Sequence, residues 1–187
     1  TWSWSAGGGG NGTYRYKLDN SDLTSGATET TSTSYTPGSG IISEGSHTLY
    51  VQERDAAGNW SSSGSRTIVI DTTAPAITGT TVASNNASIA VTFSEAVYNT
   101  SGGSGALEAS DFTLTLSGGT ATLSSATPSS ISSSSNTYTL GLSLSGTPNG
   151  SETITVVPSS STAIYDAAGN AASTSQSNNT VTLNDTT

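Results

Sequence analysis

Apolar and polar residues alternate along most of this chain, in short runs separated by glycine, serine, asparagine and proline. The runs place apolar residues at Trp2 and Trp4; Tyr14, Tyr16 and Leu18; Leu49 and Val51; Ile68 and Ile70; Ile89, Val91 and Phe93; Phe112, Leu114 and Leu116; Tyr138, Leu140, Leu142 and Leu144; Ile154 and Val156; Val181 and Leu183. A period of two is that of a strand with one buried face, and the intervening residues favour turns. No helical period of useful length is present. The pattern therefore predicts an all-β protein of the sandwich type.

The segment "TIVIDTTAPAITG" at 67–79 looks like a junction between two such sandwiches. One apolar run ends before Asp71, two threonines and Ala74-Pro75 follow, and a new apolar run begins. Because proline restricts the backbone and suits a short connection, we predict two β-sandwiches in series joined by a Pro-containing linker. The predicted domains are residues 1–72 and 73–187.

Two short motifs occur twice. "DAAGN" begins at Asp55 and again at Asp166, and "DTT" begins at Asp71 and again at Asp185. The two offsets, 111 and 114 residues, are nearly equal. Repetition of a module together with its junction is typical of a tandem array. Because Thr1 also begins inside a strand-like run, we expect the chain to be a piece of a longer repeat protein.

Composition and charge narrow the function classes. The 187-residue chain has no cysteine, which excludes disulfides and thiolate metal sites. Its net charge of −9 argues against binding nucleic acid, and no apolar stretch is long enough to cross a membrane. All four Lys and Arg residues precede Asp71, so no cationic side chain of the second half can pair with its six carboxylates.

The first half resembles a fibronectin type III or related Ig-like module. The similarity rests on "TWSW", "YRYKLD", "SYTPGSGIISEGSHTLYVQERDAAGN" and "RTIVID". The resemblance implies that Trp4 is the core tryptophan of strand B, that Tyr50 lies in strand F, and that the usual strand A is lacking.

The second half resembles the Ig-like modules of bacterial S-layer and long-repeat surface proteins, through "IAVTFSEAV", "ASDFTLTL" and "YDAAGNAAS". The resemblance implies an extracellular or cell-surface location and a place among neighbouring Ig-like repeats of one parent chain. Similarity to calcium-dependent bacterial adhesins also implies a role in projecting a binding end from the cell.

In an Ig-like sandwich the B–C and F–G loops lie at one pole, where the chain also enters. This order would bring Glu95, Asp111 and Asp166 of the second domain together with Asp71 of the linker. Crowded carboxylates repel one another unless a cation intervenes, and calcium takes about 6–8 oxygen ligands. We therefore predict a calcium site formed by Asp71, Glu95, Asp111 and Asp166, supported by Asn170.

A simpler interpretation assigns these residues to turns. The aspartate of D-x-x-G-N can accept hydrogen bonds within its own loop while the glycine adopts a positive φ. For Asp55 and Asn59 this interpretation is favoured, because no second acid is predicted at their pole, although a second metal site there stays open. Thermal melts with and without a chelator would separate the two interpretations.

Other constellations favour binding over catalysis. His47 lies inside a predicted strand and "GGGGNG" at 7–12 has no following helix, so neither indicates an active site. Trp60 is the aromatic residue expected to be most exposed and is a candidate ligand contact.

We expect no enzyme activity, and we expect a monomeric structural spacer of a bacterial adhesin stiffened by calcium. The alternatives are a module that binds carbohydrate or a host protein, and an accessory region of a secreted polysaccharide-active enzyme.

Overall fold

The computed structural model describes residues 1–38, 40 and 42–187, and the regular secondary structure of this part of the chain is almost entirely β-strand. Within it, the helical structure is one 3-10 turn, Ala109–Asp111, and no helix is long and apolar enough to cross a membrane. The strands are β1 (Trp2–Ser3), β2 (Gly10–Leu18), β3 (Thr28–Thr30), β4 (Ser34–Tyr35), β5 (Gly45–Asp55), β6 (Gly64–Ile70), β7 (Ile77–Val82), β8 (Ser88–Phe93), β9 (Phe112–Ser117), β10 (Thr122–Leu123), β11 (Ile131–Ser134), β12 (Thr137–Gly141), β13 (Leu144–Ser145), β14 (Thr153–Pro158) and β15 (Thr180–Thr182). The predicted all-β fold is confirmed.

Two compact units divide the chain, Thr1–Asp71 and Thr72–Thr187. In the first unit, one sheet has the order β3-β2-β5-β6, and β1 pairs with β4 in a second, two-stranded sheet. In the strand letters of Ig-like sandwiches these sheets are C′-C-F-G and B-E. The folding of each predicted domain by itself stays a prediction.

Aromatic side chains fill the space between the two sheets of the first unit. The Trp2 ring lies 6.2 Å from that of Tyr35, and the Trp4 ring lies 5.9 Å from Tyr14 and 6.1 Å from Tyr16. Trp2 is buried whereas Trp4 is half-buried. The alternation of "TWSW" thus turns both tryptophans inward, but Trp2, rather than the expected Trp4, is the more deeply buried.

The second unit has one sheet of order β11-β12-β8-β7 and one of order β15-β14-β9, with a small β10-β13 pair beside them. In strand letters these two sheets are D-E-B-A and G-F-C, the order of an Ig constant-type sandwich. Strands from both sheets contribute to a single hydrophobic core. Ile89, Val91 and Phe93 alternate inward from β8, and Ile154 and Val156 alternate inward from β14.

One apolar run in the second unit does not form a single strand. The run from Tyr138 to Leu144 predicts one strand, but β12 ends at Gly141 and Leu144 belongs to β13. Gly141 exchanges backbone hydrogen bonds with Ser129 and Ser130, after which the chain leaves the β12 sheet for the β10-β13 pair. A period of two continues through such a crossing because both segments bury alternate side chains.

Candidate metal site

The B–C and F–G loops of the second unit, residues 94–111 and 159–179, are joined by backbone hydrogen bonds. Tyr98 and Tyr165 each donate from the backbone N–H to the other's carbonyl oxygen, both at 2.8 Å. The Ser159 N–H also donates to the Asp111 carbonyl oxygen at 2.8 Å. These bonds fix the two loops side by side at one pole of the sandwich, immediately before Asp166.

Asp166 is fully buried at the start of the second DAAGN turn. Its Oδ1 accepts the N–H groups of Gly169 and Asn170 at 2.6 and 2.8 Å, and its Oδ2 accepts the Asn170 Nδ2–H at 2.7 Å. Burial alone would raise the pKa of Asp166. The hydrogen bonds from Asn170 and Gly169 outweigh burial and lower that pKa, so the carboxylate is charged at neutral pH.

Glu95 and Asp71 bring two further carboxylates to Asp166. One carboxylate oxygen of each residue lies within 4.8 Å of the others. Glu95 follows β8 at the start of the B–C loop, and Asp71 is the residue after β6. Three oxygens this close suit a hard divalent cation such as calcium, so this group of acidic residues could bind a metal ion.

Two other predicted ligands have different positions. Asp111 is not one of the acidic groups brought together in the described structure. Its Oδ2 accepts the Glu108 N–H at 2.7 Å, as part of the reciprocal cap of the 3-10 turn Ala109–Asp111. Asn170 does lie at the group, where its side chain donates to Asp166. Of the four carboxylates predicted to lie together, three are therefore in the group: Asp71, Glu95 and Asp166.

The first DAAGN turn has the same two hydrogen bonds from its asparagine, whereas its glycine N–H donates to the Asp55 carbonyl oxygen. Asp55 Oδ1 accepts the Asn59 N–H at 2.8 Å and Oδ2 accepts the Asn59 Nδ2–H at 3.0 Å, which lowers the pKa of Asp55. Its side chain is only half-buried, and no three-carboxylate group in the described residues includes it. The hydrogen bonds agree with the turn interpretation of Asp55 and Asn59.

Trp60 is half-buried and its ring is close to two cations. The Arg15 guanidinium carbon lies 4.5 Å from the ring centroid and that of Arg54 lies 5.6 Å away. Such contacts are cation–π interactions. Because two guanidinium groups already lie against the ring, Trp60 offers less open surface to a ligand than the sequence suggests.

Sequence reasoning missed Glu152, which is fully buried beside β14. Its carboxylate accepts the N–H groups of Thr120 and Ala121 at 2.7 and 2.9 Å through Oε1 and that of Asn149 at 3.0 Å through Oε2. The hydrogen bond from the Ala121 N–H is the largest cause that lowers the pKa of Glu152 to about 2, although burial acts in the opposite direction. A glutamate within the alternating run "SETITVVP" was the available signal, because its position predicts an inward side chain.

His47 forms an ion pair rather than a catalytic dyad with a serine hydroxyl. Its Nδ1 lies 2.7 Å from Asp19 Oδ2, and its Nε2 donates to the Ser43 carbonyl oxygen at 2.9 Å when protonated. The Asp19 hydrogen bond is the main reason that the pKa of His47 is raised, and the reciprocal bond lowers that of Asp19. The ion pair links the end of β2 to β5, two neighbouring strands of the sheet.

The comparisons with known proteins identify no family. No described protein family matches the sequence, and no well-characterised protein matches it at a significant level. Among solved structures, chitinase ChiA74 from Bacillus thuringiensis is similar at 19% sequence identity and a TM-score of 0.26, over 91% of this chain and 23% of that chain. This chain thus spans about a quarter of the length of that chitinase. A TM-score of this size establishes neither a shared fold nor a shared activity.

Proposed function

We propose that this protein is a structural spacer segment of a large extracellular bacterial surface protein of the adhesin type, without enzyme activity of its own. Its partners are neighbouring Ig-like repeats in the same parent chain, and the segment itself is monomeric. Support comes from the two DAAGN and two DTT motifs, which repeat module and junction at almost one spacing. A Ser/Thr-rich strand surface with four Lys and Arg residues suits a protein outside the cell, because it offers few cleavage sites to trypsin-like proteases.

The proposed mechanism is stiffening by calcium at the group of Asp71, Glu95 and Asp166. The single observation that carries it is the approach of their carboxylate oxygens to within 4.8 Å. Like charges this close favour a shared cation, and residues 72–187 contain no Lys or Arg to supply one. Backbone carbonyls and water would complete the 6–8 oxygens that calcium takes. The bound ion would restrict the chain where Asp71 leads into Thr72.

Calorimetric melting with calcium and with EDTA tests the mechanism. Saturating calcium stabilises the folded state by about 2.7 kcal/mol at a hundred times the dissociation constant, so the transition of the second unit should move upward by several degrees. Glu95→Gln should abolish the shift by removing one charged ligand. Asp55→Asn, in the matching turn of the first unit, should leave it intact. Identical melts in calcium and EDTA would contradict the calcium mechanism but not the spacer role.

The spacer role has a separate test in the neighbouring sequence and in solution scattering. Further DAAGN…DTTAP units in the parent chain would support it, whereas an adjoining catalytic domain would favour an accessory region of a polysaccharide-active enzyme. Scattering should show a narrower range of maximum dimensions when calcium is added. An unchanged distribution would mean that calcium, if bound, does not stiffen the chain.

A further inference from the structure

A cleft of about 730 Å³ opens in the first unit between β1 and the start of β6. It lies within the ~300–1,000 Å³ range of small-molecule sites. Its walls are formed by residues 2–5 of β1 and its extension, the glycine-rich loop 7–10, and residues 59–66. The lining includes Trp60, the candidate ligand contact predicted from the sequence.

Aromatic rings line the apolar part of the cleft. Trp4 and Trp60 are half-buried, and the buried side chains of Trp2, Tyr14 and Leu49 lie behind them in the lining. The rings of Trp4 and Tyr14 meet edge to face at 69°. Ring surfaces of this kind accept the C–H faces of a ligand that also carries polar groups.

Trp4, one of the lining residues, has an indole N–H that lacks a partner. Trp4 Nε1 is buried and makes no hydrogen bond within the described structure, whereas Trp2 Nε1 donates to the Arg66 carbonyl oxygen at 3.0 Å. A buried donor left without an acceptor is destabilising. An acceptor on a bound ligand would recover that cost.

Charge selects for a neutral ligand. Glu53 and Asp55 are the acidic residues of the lining and Arg66 is the basic one. Glu53 Oε2 accepts the Gly7 N–H at 2.8 Å and its carboxylate also hydrogen-bonds Tyr14, while Asp55 is held by Asn59. Because both carboxylates already accept hydrogen bonds within the protein, they attract a cation only weakly. The lining has one more acidic than basic residue, which disfavours an anion.

A docked peptide strand fits the cleft less well. β1 is only two residues long, so its free edge offers a ladder of one or two residues. On the β6 side, the Arg66 carbonyl oxygen already accepts the Trp2 indole. Strand addition draws its affinity from a continuous run of main-chain hydrogen bonds, which these edges do not supply.

We propose that this cleft binds a neutral oligosaccharide. Ring hydroxyls both donate and accept, so one can accept the Trp4 Nε1–H while others bond the Gln52 and Asn59 amides and the serine hydroxyls of the lining. The C–H face of the sugar rests against the half-buried rings of Trp4 and Trp60. The inference is independent of the proposed spacer function, because the cleft lies within Thr1–Asp71 and involves none of the three carboxylates of the metal group.

The test is calorimetric titration of the full chain with four probes. These are neutral β-1,4-linked hexasaccharides of glucose, xylose and N-acetylglucosamine, and the anionic hexamer of galacturonic acid. At least one neutral probe should bind saturably, and the anionic hexamer should bind at least tenfold more weakly. Trp4→Phe should weaken binding about two- to tenfold through loss of one hydrogen bond. Because the smaller ring also loses packing against Tyr14 and Tyr16, a melting curve checks that the variant is folded at the temperature of the titration.

Val69→Thr is the matched control, because Val69 is exposed and does not line the cleft. It should bind as the unsubstituted protein does, and EDTA should change neither affinity. Lack of saturable binding by every neutral probe would overturn the proposal. So would equal affinity for the anionic hexamer, or unchanged affinity in Trp4→Phe. Saturable binding of the peptide TAPAITGTTVA, residues 73–83, without sugar binding would instead identify the cleft as a strand-docking site.

Discussion

The two DAAGN turns share one sequence and the two hydrogen bonds from their asparagine, yet they occupy different environments. In both, the aspartate accepts the backbone N–H and the side-chain Nδ2–H of the asparagine four residues later. Asp55 is half-buried, whereas Asp166 is fully buried and has the carboxylates of Asp71 and Glu95 near it. The motif therefore specifies a turn, and the potential metal chemistry comes from what the surrounding loops bring to it.

The largest expected difference is in the effect of removing the aspartate. Asp166→Ala leaves two backbone N–H groups and one amide without their acceptor in a buried site, so the free energy of unfolding of the second unit should fall by about 3 kcal/mol. Asp55→Ala exposes its donors to water and should destabilise the first unit less. Chemical denaturation followed by NMR signals of each unit measures both. Equal losses would show that burial does not distinguish the turns.

The next largest difference between the two units should be in how their stability changes at acidic pH. The folded-state pKa of Glu152 is lowered from 4.5 to about 2, and that of Asp166 is also lowered. Their contribution is therefore complete above the unfolded-state pKa values and is lost as the pH falls from about 4.5 towards about 2. NMR of the second unit should show stability declining over that window. Glu152→Gln should flatten the decline, and a profile unchanged by this substitution would contradict the assignment.

The first unit should respond in the opposite direction near neutral pH. The pKa of His47 is raised above 6.5 by Asp19, so its contribution is complete below 6.5 and is lost as the pH rises through the folded-state pKa. Fluorescence isolates this unit, because all three tryptophans precede residue 72. Its melting temperature should decrease slightly as the pH rises through that range. Asp19→Asn should remove the dependence, and a dependence that persists would point to another group.

Glycine at the fourth position of each turn provides the smallest expected contrast. Gly58 and Gly169 have φ values of 93° and 97°, so alanine is strained at either position by about 1 kcal/mol. A Cβ at Gly169 would lie 2.7 Å from Ser101 Oγ, whereas at Gly58 the nearest atom is 3.5 Å away, in the Arg54 side chain. Gly169→Ala should therefore lower the melting temperature more than Gly58→Ala. The reverse order would mean that residues 101–103 move away from the added Cβ at little cost in stability.

The sequence predicts most of the fold because side-chain alternation is a local property. Phe93, Phe112 and Ile154 are inward as expected. The crossing at Gly141 is not local, because it depends on backbone bonds to residues 129 and 130.

The site was predicted less completely, since it depends on how loops pack. Glu95 and Asp166 follow from strand order, which sets the pole of each loop. Asp111 is instead part of a cap with Glu108, a pairing that the spacing in "EASD" allows. Trp60 is expected to be exposed from its place after a turn, but Arg15 and Arg54 lie against its ring from other strands.

Calcium titration by calorimetry compares the two turns most directly. We expect one calcium site in the full chain, lost or at least tenfold weaker in Glu95→Gln and unchanged in Asp55→Asn. This result would show that neighbouring carboxylates, rather than the DAAGN turn, confer metal binding. Absence of calcium binding in the unsubstituted protein, or equal weakening by both substitutions, would contradict the account.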